Sequence, residues 1–270
     1  MKVALYIVST PIGNLKDFSA RGKETLSAVD IILCEDTRIT SRLLGNIGLE
    51  KKLIVYNDHN ATDVIPHVIK SIKEQGTAYA LVSDAGTPLI SDPGYKLVNA
   101  CIENNIKYSV IPGACAVISA LVLSGQPSDR FLFAGFADQK KFEELSKINS
   151  TIILFEAPHR LINTVHNIER HFKNRTISIV REMTKIFEEV ITGDCAFLID
   201  YFEKNPPKGE IALVISPPRQ DLDSKLLELT PLVTSLRDRI STKELSEILS
   251  KFSGISKNRV YNFIQERKND

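Results

Sequence analysis

Four short segments of the chain combine residue types that do chemistry, and each follows an apolar run. The longest is Ser83-Asp84-Ala85-Gly86-Thr87-Pro88-Leu89-Ile90-Ser91-Asp92-Pro93-Gly94. Its glycines and small residues let the backbone approach a ligand closely, and its aspartates can accept hydrogen bonds from a cationic group. A plain turn between a strand and a helix accounts for the same residues. The spacing matches neither a phosphate-binding P-loop nor the G-x-G-x-x-G dinucleotide fingerprint. The second segment is Ser9-Thr10-Pro11-Ile12-Gly13-Asn14-Leu15, and the third is Cys34-Glu35-Asp36-Thr37-Arg38. Two carboxylates beside an arginine can hold, orient or deprotonate a polar substrate. The same cluster suits a helix N-cap at Asp36 with a local ion pair. The fourth, Ile111-Pro112-Gly113-Ala114-Cys115-Ala116, is either a tight turn or a stretch of small side chains that makes room for a cofactor.

Positioning these segments requires an alternation of strands and helices. Apolar runs at Val3–Val8, Ile31–Cys34, Leu53–Tyr56, Ala78–Val82 and Tyr108–Ile111 read as strands. Helical patterns lie between them, at Ser19–Val29, Thr40–Ile47, Thr62–Gln75 and Tyr95–Asn104, and Cys115–Ser124 continues as a helix. Such alternation predicts βαβ units and a mainly parallel sheet, whose ligands bind beyond the carboxyl ends of the strands. A break within Ala114–Asp129 separates a second series of strands: Phe131–Gly135, Thr151–Phe155, Thr176–Val180, Glu188–Thr192 and Ile211–Ile215. Helices are predicted at Lys141–Lys147, His159–Phe172 and Asp194–Phe202. This layer is expected to include antiparallel strands. Pro217-Pro218 punctuates the chain, and the remainder is helical in pattern. The division expected is an N-terminal α/β domain over 1–118, a second α/β domain over 119–218 and a helical tail over 219–270.

Composition narrows the classes of function. A chain of 270 residues, 43% hydrophobic and 25% charged, can bury a sizeable core. A net charge of +1 excludes a uniformly basic coat while leaving room for a local basic surface. The cysteines Cys34, Cys101, Cys115 and Cys195 are far apart, which suits free thiols rather than a disulfide framework or a zinc site. The apolar run near the N-terminus is too short for a signal sequence or a membrane span. A cytoplasmic protein without membrane attachment is expected.

Taken together and in this order, the segments resemble the tetrapyrrole-methylase superfamily, and within it the ribosomal RNA small subunit methyltransferase I family. The resemblance is nearly continuous from Leu5 to Phe136, including Glu35-Asp36-Thr37-Arg38, Asp58-His59-Asn60 and Pro127-Ser128-Asp129-Arg130-Phe131. It resumes at Phe155-Glu156-Ala157-Pro158-His159-Arg160, Arg181-Glu182-Met183-Thr184-Lys185 and Lys208-Gly209-Glu210. Two departures stand out. Phe136-Ala137-Asp138-Gln139-Lys140-Lys141 occupies the place of a usual Leu-Pro-x-Lys…Gly-x-Arg stretch. Ala114-Cys115 stands where a Pro-Ser or Pro-Cys pair is typical.

The resemblance implies the tetrapyrrole-methylase fold, two α/β domains with a cofactor cleft between them, and S-adenosylmethionine as methyl donor. Carried over by motif, Pro11, Asp84, Gly86, Leu89, Ile90, Cys115 and Ala116 line the cleft, with Glu210, Ile211 and Ala212 approaching from the second domain. The implied reaction is 2′-O-methylation of a cytidine ribose in the decoding centre of 16S ribosomal RNA, within the small subunit, by a homodimer. Methyl transfer from a sulfonium is an in-line displacement, so alignment comes first, and a base assists the weakly nucleophilic hydroxyl. Glu35, Asp36 and His59 are the catalytic candidates, with Glu156 and Glu182 as further bases. Arg38, Arg160, Arg181 and Lys185 are candidates for RNA phosphates, or else pair with neighbouring carboxylates. No metal is required. The competing readings are a porphyrinoid methyltransferase of the same fold and a non-catalytic RNA-binding assembly factor.

The tail adds a separate signal. Thr242–Phe252, Gly254 and Ser256–Gln265 read as helix, turn and helix, a small nucleic-acid-binding pattern. From Lys251 to Lys268, Lys251, Lys257, Arg259, Arg267 and Lys268 stand against Glu266 alone. A helical hairpin with solvated charges is the alternative.

Overall fold

The computed structural model describes residues 3–218, 222–237 and 239–267. The first five strands are β1 (Leu5–Val8), β2 (Ile31–Cys34), β3 (Lys52–Val55), β4 (Tyr79–Leu81) and β5 (Tyr108–Ile111). They form a sheet in the order β3-β2-β4-β1-β5, and every pairing in it is parallel. Parallel strands need helical crossovers, which cover both faces and make short, nearly continuous apolar runs the right sequence for them. One face packs Leu5, Ile7 and Leu33 against α3 (Ala61–Gln75) and α4 (Tyr95–Glu103). The other packs Val8, Ile32 and Cys34 against α1 (Ala20–Ala28) and α2 (Thr37–Asn46). Alternate residues of each strand therefore serve opposite cores. The helix predicted from Thr40 starts at Thr37, because the Asp36 side chain caps it by accepting the Arg38 N–H at 2.8 Å.

The helix α5 (Ala116–Ser124) joins the two halves. It leaves the carboxyl end of β5 but lays Val117, Ala120 and Leu121 on the second sheet, against Ile153, Val180, Ala212 and Val214. That sheet comprises β6 (Phe131–Phe136), β7 (Thr151–Glu156), β8 (Ile177–Arg181), β9 (Glu189–Gly193) and β10 (Ile211–Ile215). Its order is β6-β7-β10-β8-β9; β6 and β7 run parallel and the other neighbours antiparallel. Its second face is covered by α6 (Phe142–Ser146), α7 (Leu161–His171) and α8 (Cys195–Lys204) through Phe142, Leu161, Ile168, Leu198 and Phe202.

The described chain falls into two compact units, Met1–Pro217, which holds both sheets, and Pro218–Asp270. The second contains α9 (Leu222–Glu228), α10 (Thr230–Leu236), α11 (Thr242–Ser253) and α12 (Lys257–Glu266). The first two were not anticipated: seven-residue helices show too few turns for a clear 3.6-residue period. Leu245, Leu249, Val260, Phe263 and Ile264 share the core of this unit with Leu226, Leu229 and Val233, whereas Ile248 is exposed. Gly254 closes α11 in the left-handed region, φ 72°, as a C-terminal glycine does. Ser256 precedes α12 without a side-chain capping bond. Lys251 and Lys257 both pair with Glu247, and Arg267 lies over the Phe263 ring; Lys268 lies outside the described residues.

Arg175 is a buried tie within the second sheet. Its guanidinium donates to the carbonyls of Ser146 and Ile148 at 2.7 and 2.8 Å and of Ser216 at 3.3 Å, and it sits over the Phe172 ring. Arg175→Met keeps the stem and strands those carbonyls, a loss of about 3 kcal/mol. Urea unfolding of the variant should show a lowered midpoint with the slope unchanged.

Candidate active site

Three loops at the carboxyl edge of the parallel sheet are sewn together by hydrogen bonds. Thr10, after β1, and Gly86, after β4, form an isolated antiparallel bridge, N–H to carbonyl at 2.8 and 3.1 Å in the two directions. The Thr10 hydroxyl donates to the Ser83 carbonyl at 3.1 Å. Thr87 donates to the Ala114 carbonyl at 3.0 Å, drawing in the loop after β5, and its oxygen lies 2.9 Å from the Ser9 hydroxyl. These bonds satisfy backbone groups that a loose loop would leave to water.

Backbone strain concentrates in the same place. Between Gly86 and Gly94 the chain enters positive φ at Gly86 (86°), Leu89 (76°), Ser91 (62°) and Gly94 (143°). Leu89 and Ser91 pay no glycine exemption, and strain of this kind persists only where surrounding structure over-determines it. The facing segments of the second sheet do the same at Glu182 (50°), Thr184 (65°) and Gly209 (82°). Glu182 is held from several sides: its carboxylate accepts the Glu210 N–H at 3.0 Å and the Lys185 ammonium at 2.9 Å. A Cβ on Gly209 would run into that carboxylate. The two halves meet closely at Gly13, where a Cβ would come within 2.7–2.8 Å of Lys185 Cγ, Thr184 Oγ1 and the Met183 carbonyl.

Between these walls lies a cavity of about 470 Å³. From the first half it is lined by Ile12, Glu35, Asp84, Gly86, Ile90, Asp92, Cys115 and Ala116; from the second by Phe136, Phe155, Glu156, Met183, Glu210 and Ile211. Five carboxylates line it (Glu35, Asp84, Asp92, Glu156 and Glu210), and among the described lining residues there is no Lys, Arg or His. Burial raises the carboxyls of Glu35 and Asp84 above their ordinary values; the charge of Asp84 adds to the effect on Glu35, and that of Asp36 to the effect on Asp84. Asp92 is pushed up to about 6, by burial first and by Glu35 and Asp84 second, against a hydrogen bond with Ser83. An excess of carboxylates in a partly dry cavity attracts a cation and repels phosphate.

The residues singled out from sequence are distributed unevenly around this cavity. Asp84, Gly86, Ile90, Cys115, Ala116, Glu210 and Ile211 line it together with Glu35. Pro11, Leu89 and Ala212 stand beside the lining, and Ala212 is fully buried in the core under α5. Asp36 faces away: its Arg38 partner, bonded at 2.6 Å, holds its carboxyl down at about 2. His59 is exposed in a turn whose N–H is taken by the Asn57 side chain. Each cationic candidate has a carboxylate partner: Arg38 has Asp36, Arg160 has Glu156, Arg181 has Glu189, and Lys185 has Glu182 and Glu210. Glu156 is buried and engaged, accepting from the Ala157 N–H, the Thr164 hydroxyl and Arg160. Asp92, Phe136, Phe155 and Met183 were not among the candidates. Asp92 lies within the Ser83–Gly94 segment, and what raises its carboxyl is burial first and then the charges of Glu35 and Asp84, the former remote in sequence.

A family model described as Tetrapyrrole (Corrin/Porphyrin) Methylases matches residues 4–198. The ribosomal RNA small subunit methyltransferase I of Rickettsia prowazekii is 43% identical over 99% of this chain and 98% of its own length. The chain belongs to this family. The protein of the same name from Thermotoga maritima is 42% identical over 97% of its own length but only 78% of this chain, leaving out a stretch about as long as the helical tail. Among solved structures, uroporphyrin-III-C-methyltransferase from Thermus thermophilus covers 79% of this chain and 94% of its own, with a TM-score of 0.56 at 16% identity. A diphthine synthase covers 80% and 90%, with a TM-score of 0.59 at 14% identity. These two share the fold.

The acidic lining gives ligand binding a definite pH dependence. Asp92 is neutral below about 6 and anionic above it, so a cationic ligand binds more tightly as pH rises through that value. Calorimetry with S-adenosylmethionine, the donor implied by the sequence, should show affinity falling as pH drops through about 6. Asp92→Asn should weaken binding at neutral pH and flatten the dependence. Gly86→Val should abolish binding in a folded protein, because φ of 86° strains any β-branched residue and its Cβ would press on Ile12 at 3.3 Å.

Proposed function

We propose that the chain is an S-adenosylmethionine-dependent methyltransferase of small-subunit ribosomal RNA, acting on the 2′-hydroxyl of a cytidine in the decoding centre. The near full-length likeness to proteins named for that RNA carries the substrate assignment, and the phosphate-repelling cavity supports the division of labour. S-adenosylmethionine supplies an electrophilic methyl group on a cationic sulfur. The residues present suit it: Asp84 and Asp92 offer anionic acceptors, the Gly86 backbone leaves room that a side chain would fill, and Ile12, Met183 and Ile211 offer an apolar surface.

The chain's own part is alignment and proton management. Glu35 is the best-placed candidate to take the hydroxyl proton, since it lines the cavity and its raised carboxyl is a stronger base than an ordinary glutamate. Asp36 orients the start of α2 rather than accepting protons, and Glu156 fixes the turn carrying Arg160. His59 enters only if the RNA reaches its turn. Arg38, Arg160, Arg181 and Lys185 contact phosphates outside the cavity by exchanging carboxylate partners for them. No metal enters this reading.

We take residues 1–118 and 119–218 as its two domains, and the working form as a cytoplasmic homodimer. Ile118 and Val122 on α5, 46% and 72% exposed, support an apolar contact between copies. Among the described residues no helix is long and apolar enough to cross a membrane.

Purified protein and donor should methylate ribose in small subunits that lack the modification, read by nucleoside mass spectrometry. A methyl group on the base would overturn the ribose assignment, and transfer to a porphyrinoid instead of RNA would overturn the substrate. Glu35→Gln should lower kcat by about 100-fold with donor affinity changed far less. Arg38→Ala should raise KM for the subunit.

A further inference from the structure

Phe136 is aimed by a defect in its strand. In a regular β6, residues 131, 133 and 135 would share one face. The pairing with β7 runs Phe131 to Thr151 and Phe133 to Ile153, but then places Phe136, not Gly135, opposite Phe155. One extra residue has been inserted, and Gly135 absorbs it at φ 72°. Bulges re-aim side chains beside active sites, and this one brings Phe136 onto the face of Phe133 and Phe155. The three rings form an edge-to-face series. Phe133 and Phe155 have centroids 4.9 Å apart at 60°, and Phe155 and Phe136 5.8 Å apart at 68°. The series runs from the core under α5 to the cavity, where Phe155 and Phe136 are both lining residues.

The last ring is held by its neighbour yet left 59% exposed. Ile12, Met183 and Ile211, which also line the cavity, are buried, and Ile90 is 40% exposed. Phe136 therefore stands at the rim, and its partner must be apolar and flat on one side. We propose that Phe136 is the stacking platform for the nucleobase of the nucleotide whose ribose enters the cavity, a positioning residue for the RNA. This rests on the RNA reading above. The charge pattern favours the RNA base over the adenine of the donor. Phosphates are kept outside by the carboxylates, so a reacting nucleotide must leave its backbone at the mouth and its base at the rim. Stacking on an aromatic face suits any base pulled out of its helix, and it contributes without reading sequence.

Four variants, followed first by kinetics with donor calorimetry and second by fluorescence, test this. Phe136→Ala and Phe136→Leu should each raise KM for unmethylated small subunits by about tenfold or more, with kcat altered less. Phe136→Tyr and Phe136→Trp should restore it, because they keep a π-face. Affinity for S-adenosylmethionine by calorimetry should stay unchanged throughout. A leucine variant with wild-type KM would overturn the proposal, since volume would then suffice. A donor affinity that falls in parallel with KM would also overturn it, by assigning the ring to the adenine. The second readout is quenching of a pyrrolocytidine placed at the target position of a short RNA: present with wild type and Phe136→Tyr, absent with Phe136→Leu. It needs no turnover. A wild-type protein that quenches without methylating would defeat the functional reading alone, and a protein that methylates without quenching would defeat the stacking alone.

Discussion

Two backbone hydrogen bonds between Thr10 and Gly86 hold the floor of the site. They join the loop after β1 to the loop after β4, and through Thr87 the loop after β5 as well. Without them the Gly86–Gly94 segment would relax, because Leu89 and Ser91 gain nothing locally from positive φ. With them, Asp84 and Asp92 are kept at the cavity despite the burial that raises both carboxyls. The donors and acceptors are backbone groups, so the arrangement depends on the path of the chain more than on any one side chain.

The opposite wall follows the same logic with a different chemistry. There an ionised side chain, Glu182, gathers the Glu210 N–H and Lys185, and Gly209 leaves it the space. The close approach at Gly13 brings Met183–Lys185 against the loop after β1. Lys185 is paired with two carboxylates, Glu182 and the lining residue Glu210, and Glu35, Asp84 and Asp92 are left as the acidic part of the lining. Charge is sorted: five carboxylates line the cavity, and Arg38, Arg160, Arg181 and Lys185 stand outside the lining, each with a carboxylate partner.

Fold relationships alone leave the substrate open. A porphyrinoid methyltransferase and a diphthine synthase share this architecture at 16% and 14% identity. The helical unit beyond Pro217 is a separate compact body, and a relative from Thermotoga maritima covers nearly its own full length without a comparable share of this chain. Two of the tail lysines that looked available in sequence share Glu247, which reduces the net positive charge of that helix pair.

The amino-acid sequence by itself determined the alternation of elements, because apolar runs of about five residues between amphipathic segments admit few arrangements other than a helix-covered sheet. The resemblance carried by its motifs also put Asp84, Gly86, Cys115 and Glu210 in one expected set, and the cavity lining brings these four together. What lay beyond it was every property that depends on residues distant in the chain. By sequence Asp36 suited either an acid or a helix cap with a local ion pair, and the helix that begins at Thr37 with Arg38 closed on Asp36 decides for the cap. Asp92 looked like a turn residue until burial beside Glu35 and Asp84 raised its carboxyl. The strand read from sequence stopped at Gly135, one residue short of Phe136; one inserted residue reverses which face a side chain occupies, and only the register against β7 reveals the insertion.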